Sequence, residues 1–149
     1  MANTKTLVWR GNVASANAQP LLNEGIALDA MLPGTLVSQV ATGLQTSVVA
    51  ATVFTNRPLF ANRDVMRQKN MNAAFIINES MQAVMFRSGE SGCVRVINGQ
   101  NITSRGVGLA SNGDGTLKIA ATDDTEQVLC WSDEIINTGA AIALVNVTF

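Results

Sequence analysis

Asp123, Asp124 and Glu126 place three carboxyl groups within four residues, and Asp133-Glu134 adds two more. Paired carboxylates serve as acid and base in glycoside hydrolysis when they converge on one bond. Convergence fails here on geometry. Neighbouring residues of a strand point to opposite faces, and both clusters sit at the ends of strand-like segments, where acids solvate turns. The chain also has no histidine and no tyrosine. That removes the commonest general base, and with it every Ser-His-Asp or Cys-His nucleophilic arrangement. It removes the commonest zinc ligand as well, and Cys93 and Cys130 alone cannot complete a tetrahedral site. Both cysteines lie in apolar runs and read as small buried hydrophobes. Asn112-Gly113-Asp114-Gly115 has the opening of a calcium loop without its later acids or its bidentate glutamate, so it reads as a turn. No phosphate-binding loop and no dinucleotide fingerprint occurs. These residues point to a protein that is not an enzyme and needs neither metal nor cofactor.

Binding chemistry is a better fit. Arg57, Arg63, Arg67 and Lys69 gather basic charge around a single acid, Asp64. Such a cluster is either a solvated ion-pair rim or a contact, through Arg63 and Arg67, to an acidic partner surface. Nucleic acid is not the expected partner, because the net charge is -1 and phosphate binding needs a clear cationic excess. Trp9 and Trp131 are too few and too separated for a base-stacking platform. Trp131 reads as a core residue and Trp9 as an anchor for a partner's pocket. No window holds the ~20 apolar residues of a membrane helix. Met1-Ala2-Asn3-Thr4-Lys5 leads into no apolar run, so neither a signal peptide nor a membrane partner is expected. Synthesis in a cytoplasm follows as an expectation.

The elements that must position these groups are short strands. A chain of 149 residues suits one domain, or one domain with an arm. Only 14% of residues are charged, against about 25% in an ordinary globular chain. The first 56 residues carry just Lys5, Arg10, Glu24 and Asp29, so this stretch is buried or laid on a partner. Residues 1–25 read as an N-terminal arm and 26–149 as a β-barrel domain. Leu7, Val8 and Trp9 make a short β-prone segment, and Leu21-Leu22 ends the arm. Such an arm can add a strand to a partner's sheet, with these five side chains filling pockets. It can equally be the domain's own first strand. Beyond Ile26, strand signals fall at 35–40, 47–54, 74–77, 82–86, 93–97, 107–110, 116–120, 126–131 and 140–149. Asp64 to Asn72, with Asn62 as cap, is the one stretch with a helical start. Many short strands with Gly- and Asn-rich turns give an all-β chain, a small barrel or sandwich.

Three segments and a tail follow in a telling order: Leu32-Pro33-Gly34-Thr35-Leu36-Val37, Arg57-Pro58-Leu59-Phe60-Ala61-Asn62, Ser111-Asn112-Gly113-Asp114-Gly115-Thr116-Leu117, and the hydrophobic run Ala143 to Phe149. This order resembles the decoration, or cement, proteins of tailed-phage heads, over about Ile26 to Phe149. The chain departs from that pattern at Ala74-Phe75-Ile76-Ile77-Asn78-Glu79-Ser80, where the family carries a Gly-Asp pair before its central strand. The resemblance implies a small β-barrel or β-tulip-like domain on the outer surface of a capsid. Its implied partners are the major capsid protein and other copies of itself, a trimer before a dimer. Its implied work is mechanical, holding capsomers together against internal pressure. A β-rich adhesion or glycan-binding module on a virion surface is the alternative. An aromatic content of 5% without tyrosine weighs against it.

Overall fold

Runs of valine, isoleucine, leucine and threonine between Gly, Asn and Pro favour strands, because branched side chains pack well on a pleated surface. The computed structural model, which describes residues 5, 8–12, 21–53, 57–64 and 67–149, shows that outcome. Its strands are β1 (Trp9–Asn12), β2 (Leu21–Ile26), β3 (Leu36–Val40), β4 (Gly43–Thr46), β5 (Leu59–Ala61), β6 (Ser80–Met85), β7 (Glu90–Val96), β8 (Asn101–Ile102), β9 (Gly108–Ser111), β10 (Leu117–Ile119), β11 (Val128–Ser132), β12 (Ile136–Asn137) and β13 (Ala143–Thr148). Among the described residues one 3-10 turn, Ala51–Val53, is the only helical element. None of their helices is long and apolar enough to cross a membrane.

The chain is all-β, and five of its strands close a barrel. β7, β10, β9, β11 and β13 are hydrogen-bonded in that order, and β13 returns to β7. The longest seam runs from Ala143 opposite Val96 to Thr148 opposite Ser91. Closure leaves no edge between these five strands for another chain to join. The other edge of β7 is shared out. β1 pairs along Glu90–Gly92, Gly34 O accepts from Arg95 N at 2.9 Å, and β10 joins at Val96. Val94, Val96, Leu109, Leu117, Cys130, Val145 and Val147 are buried in the barrel core.

A second, five-stranded sheet runs β2-β6-β5-β3-β4. Its outer strands meet where Ala27 bridges Leu44, so the sheet curls back on itself. β2 pairs with β6 along its whole length, from Leu21 opposite Met85 to Ile26 opposite Ser80. Residues 21–25, placed in the arm on sequence grounds, therefore belong to the wall of this sheet. Strand alternation sends alternate side chains to different cores. Leu36, Phe60 and Val84 join the barrel core, while Val37, Leu59, Ala61, Met81 and Ala83 join a second core with Leu44, Met31 and Phe75. Three phenylalanines fasten the shared core. Phe86 and Phe149 stack at 4.0 Å, and Phe60 meets them edge-on at 5.8 and 5.5 Å.

Two glycine turns make the joint between sheet and barrel. Gly34 N donates to Ala61 O at 2.8 Å, Ala61 N to Thr35 O at 2.8 Å, and Leu36 N to Gly115 O at 2.7 Å. Gly115 has φ +83°, and a Cβ there would lie 2.4 Å from Thr46 Cγ2 and 2.7 Å from Thr35 Cγ2. Asp114 shapes the turn by accepting from Thr116 N at 2.9 Å. Burial works to raise the Asp114 pKa, but hydrogen bonds from Thr116 and Asn112 outweigh it and hold the carboxyl below its ordinary value. Arg95 is buried in the same joint. It donates through Nε to Pro33 O at 2.9 Å and through a terminal nitrogen to Met71 O. Burial lowers its pKa from the ordinary guanidinium value.

Three sequence expectations change. The stretch Asp64 to Asn72 forms turns at 67–68 and 71–72, since the Asp64 side chain accepts from Arg67 N at 3.0 Å and its carbonyl from Lys69 N at 3.0 Å. Asp and Asn side chains compete with helical hydrogen bonds in this way. The strands expected at 47–54 and 74–77 shrink, among described residues, to single bridges at Ala50 and Phe75. Trp131 is 47% exposed, because a bulge between Val128 and Cys130 sets Cys130 and Ser132 inward and leaves Trp131 outward.

The joint makes a testable contrast. Gly115→Ala combines a left-handed backbone with steric overlap and should lower stability by about 2–4 kcal/mol. Gly113→Ala, also at φ +83° but 3.9 Å from its nearest neighbour, should cost about 1 kcal/mol. Urea unfolding of the two variants measures the difference.

Candidate interaction site

β5 ends at Ala61 and β6 begins at Ser80, leaving Asn62–Glu79 as an eighteen-residue connection. Connections beyond about 12–15 residues without regular structure are uncommon in compact domains and are often functional. The described part of this one is tied down by its own side chains. Arg63 N donates to Asn62 Oδ1 at 2.9 Å, and Asn72 N to Asn70 Oδ1 at 2.9 Å. Phe75, 1% exposed, then plugs the second core. Its backbone exchanges two hydrogen bonds with Met31, at 2.8 and 3.2 Å.

Immediately after this plug the chain turns outward. Ile76 is 66% exposed and Ile77 58%. The return is fixed by Asn78 N to Ala27 O, Ala27 N to Glu79 O, both 2.8 Å, and Glu79 N to Ile76 O at 3.0 Å. Asn78 takes φ 67°, a left-handed conformation that asparagine tolerates better than most residues. Glu79 Oε2 accepts from Ile76 N at 2.9 Å. Glu79 Oε1 accepts from Arg67 and from Lys69, whose Nζ stands 5.6 Å from the Phe75 ring centroid. The Lys69 hydrogen bond, followed by that of Ile76 N, holds the Glu79 pKa below the usual carboxylate value. Arg67 also lies 3.4 Å from Asp64.

Beside the tip lies a cleft of about 180 Å3. Glu24, Arg63, Asp64 and Arg67 line its polar part, with Phe75 and Met81 as apolar lining. Gln82 Nε2 donates to Glu24 Oε1 at 2.7 Å across the β2–β6 seam. The arrangement sets paired charges beside exposed apolar surface.

The residues singled out from sequence fall in different places. Arg63 and Arg67 come together in the cleft, and Arg67 is ion-paired within the chain rather than standing alone. Leu21 and Leu22, 38% and 41% exposed, sit at the opposite end of β2, opposite Met85 and Val84. Val8, expected at a partner surface, is instead fully buried in the chain's own core, because its carbonyl is held by Cys93 N at 2.7 Å on the edge of β7. Trp9 pairs through its backbone with Gly92; its side chain, like Leu7, lies outside the described residues. Ile76, Ile77 and Glu79 were not singled out. Ile76-Ile77 reads as half a strand by sequence, and the Asn78-Glu79 step after it was the one available sign of a turn.

The acidic clusters hold structure together. Asp123 accepts from Thr125 N at 3.2 Å and from its hydroxyl at 2.6 Å. Glu126 pairs with Lys118 and accepts from Ala121 N at 2.8 Å. Glu134 pairs with Lys5 and accepts from Asn146 N at 2.7 Å. Among the described residues no three His, Cys, Asp or Glu side chains gather to hold a metal. Burial pushes the Cys130 thiol up, out of the reactive range.

Fold and site together define an all-β protein, a closed barrel with a curled second sheet that carries a braced apolar tip. No protein-family model and no curated protein matches the chain. Among solved structures, the fold is shared with the N base of the head fiber gp8.5 in bacteriophage phi29, with a TM-score of 0.52 and 19% sequence identity. The match covers 88% of this chain and 94% of that one.

The brace should respond to acid. A carboxylate whose folded pKa is depressed contributes stability above its unfolded pKa, about 4.3 for glutamate, and loses it as pH falls through the folded value. Protection of the Ile76 amide, corrected for intrinsic exchange, should therefore fall below about pH 4. Glu79→Gln should be less protected at neutral pH and lack this acid step. Amide exchange followed by NMR reads both.

Proposed function

We propose that this chain is a non-enzymatic structural protein of a phage particle, bound as a decoration or cement protein to the outside of the head. The observation that carries the reading is the fold shared, over nearly all of both chains, with the base of a phage head fiber. The segment order that resembles head decoration proteins supports it independently. Those segments have a physical role here. Pro33-Gly34, Leu59-Phe60-Ala61 and Gly113-Asp114-Gly115 all meet at the joint between sheet and barrel.

The proposed partners are the major capsid protein and other copies of this chain, a trimer before a dimer, with no nucleic acid, membrane or cofactor. A charged fraction of 14% suits a surface meant to meet protein, since interface cores are depleted in charge. A closed barrel suits mechanical work, since its strands are fastened on both sides. A protein bridging two capsid subunits opposes their separation, and many modest contacts repeated over a shell add up through avidity.

The test mixes the purified chain with expanded, empty heads that lack it. Saturable co-sedimentation and a higher temperature of head rupture are the expected results. Heads that neither bind the chain nor gain stability, together with a clear hit on a glycan array, would favour an adhesion module instead.

A further inference from the structure

Ile76 and Ile77 stand out because isoleucine is among the residues most often fully buried, yet two in succession are more than half exposed. They are not loose. The tip that carries them is fastened on both sides, to Met31 before it and to Ala27 after it, and from below by the Glu79 carboxylate. A surface already held in shape loses little conformational freedom on binding, which is where much affinity is otherwise lost. Isoleucine adds to this, since its branched side chain is stiff at χ1.

The charges beside the tip are sorted by depth. The side chains of Asp64 and Glu79 are 10% and 11% exposed, whereas Lys69 is 25% and Arg67 49% exposed. The acids are sunk beneath their cations, so a docking surface meets a guanidinium first. The same charge order favours a partner whose apolar pocket is rimmed by acids.

We propose that Ile76 and Ile77 form a preformed apolar knob that docks into an apolar, acid-rimmed pocket on a subunit of the phage head, with Arg67 pairing at the rim. The proposal rests on the head-surface reading above and names the surface that would make the contact. Arg67 at the rim contributes chiefly to encounter rate and orientation, and the isoleucines to residence time.

The experiment compares the wild-type chain with I76S/I77S, I76A/I77A and Arg67→Glu, each checked for unchanged melting, on heads lacking the chain. Both double variants should keep the fold, since the side chains they trim are exposed. They should bind heads roughly tenfold or more weakly. Arg67→Glu, with Ile76 amide protection checked as well because Arg67 also pairs with Glu79 and Asp64, should slow association and lose the salt dependence of the wild type. Wild-type chain that ignores heads defeats the head-surface reading itself. Wild-type chain that binds while folded double variants bind equally well overturns the knob and leaves that reading standing. Two further results would also overturn it: double variants that lose self-association in sedimentation velocity but keep head binding, or that lose only affinity for anionic lipid vesicles.

Discussion

Leu59, Phe60 and Ala61 are consecutive and all buried, and much of the architecture depends on the fact that neighbouring strand residues face opposite ways. Phe60 enters the barrel core while Leu59 and Ala61 enter the core of the second sheet. β3 and β6 repeat the division, with Leu36 and Val84 on one side and Val37 and Ala83 on the other. One sheet thus serves as a wall of two cores. The wall is closed off from solvent on both sides only at Leu36-Val37, Leu59–Ala61 and Ala83-Val84, whereas no residue of β2 is buried. A shift of register by one residue would exchange the contents of both cores at once, so the pairing is strongly specified.

The same wall explains why the turns around it are made of glycine. Gly34 lies where a Cβ would come within 3.0 Å of Leu144 and 3.3 Å of the Cys93 carbonyl, and Gly115 lies against Thr46 and Thr35. Backbone approaches backbone at these points, and the carbonyls and amides satisfy one another across the joint. Arg95 completes the arrangement by giving buried carbonyls of Pro33 and Met71 a donor. A long side chain there reaches between two segments that no strand pairing connects, while its aliphatic stem packs in the joint.

The candidate interaction site is a consequence of this architecture. β5 and β6 are neighbours in the sheet, yet eighteen residues separate them, and that surplus chain is folded over the open end of the second core. Phe75 closes the core from above, and closing it commits the following residues to solvent. Ile76 and Ile77 are exposed because Phe75 is buried. The ion pairs of Glu79 with Arg67 and Lys69 are modest individually at such exposure. Together with five backbone bonds they define one shape for the tip.

Sequence by itself determined the class of fold, the position of most strands, the Asn112–Gly115 turn and the lack of any histidine-based chemistry. These depend on local pattern, on composition and on which residues tolerate positive φ, all of which are visible in one dimension. It also picked out Arg63 and Arg67 as neighbours, because close spacing in a loop survives folding. Tertiary structure decided the rest. Val8 and Trp131 exchanged their expected places because burial of a short strand depends on which neighbour it pairs with, and a single bulge reverses which side chains face inward. β2 became part of a sheet because β6, some sixty residues away, offered it an edge. The Ile76-Ile77 pair carries the β-propensity of a buried strand. Only the pairing of Phe75 with Met31 and the return of the chain through Ala27, both long-range in their partners, turned that propensity into an exposed tip.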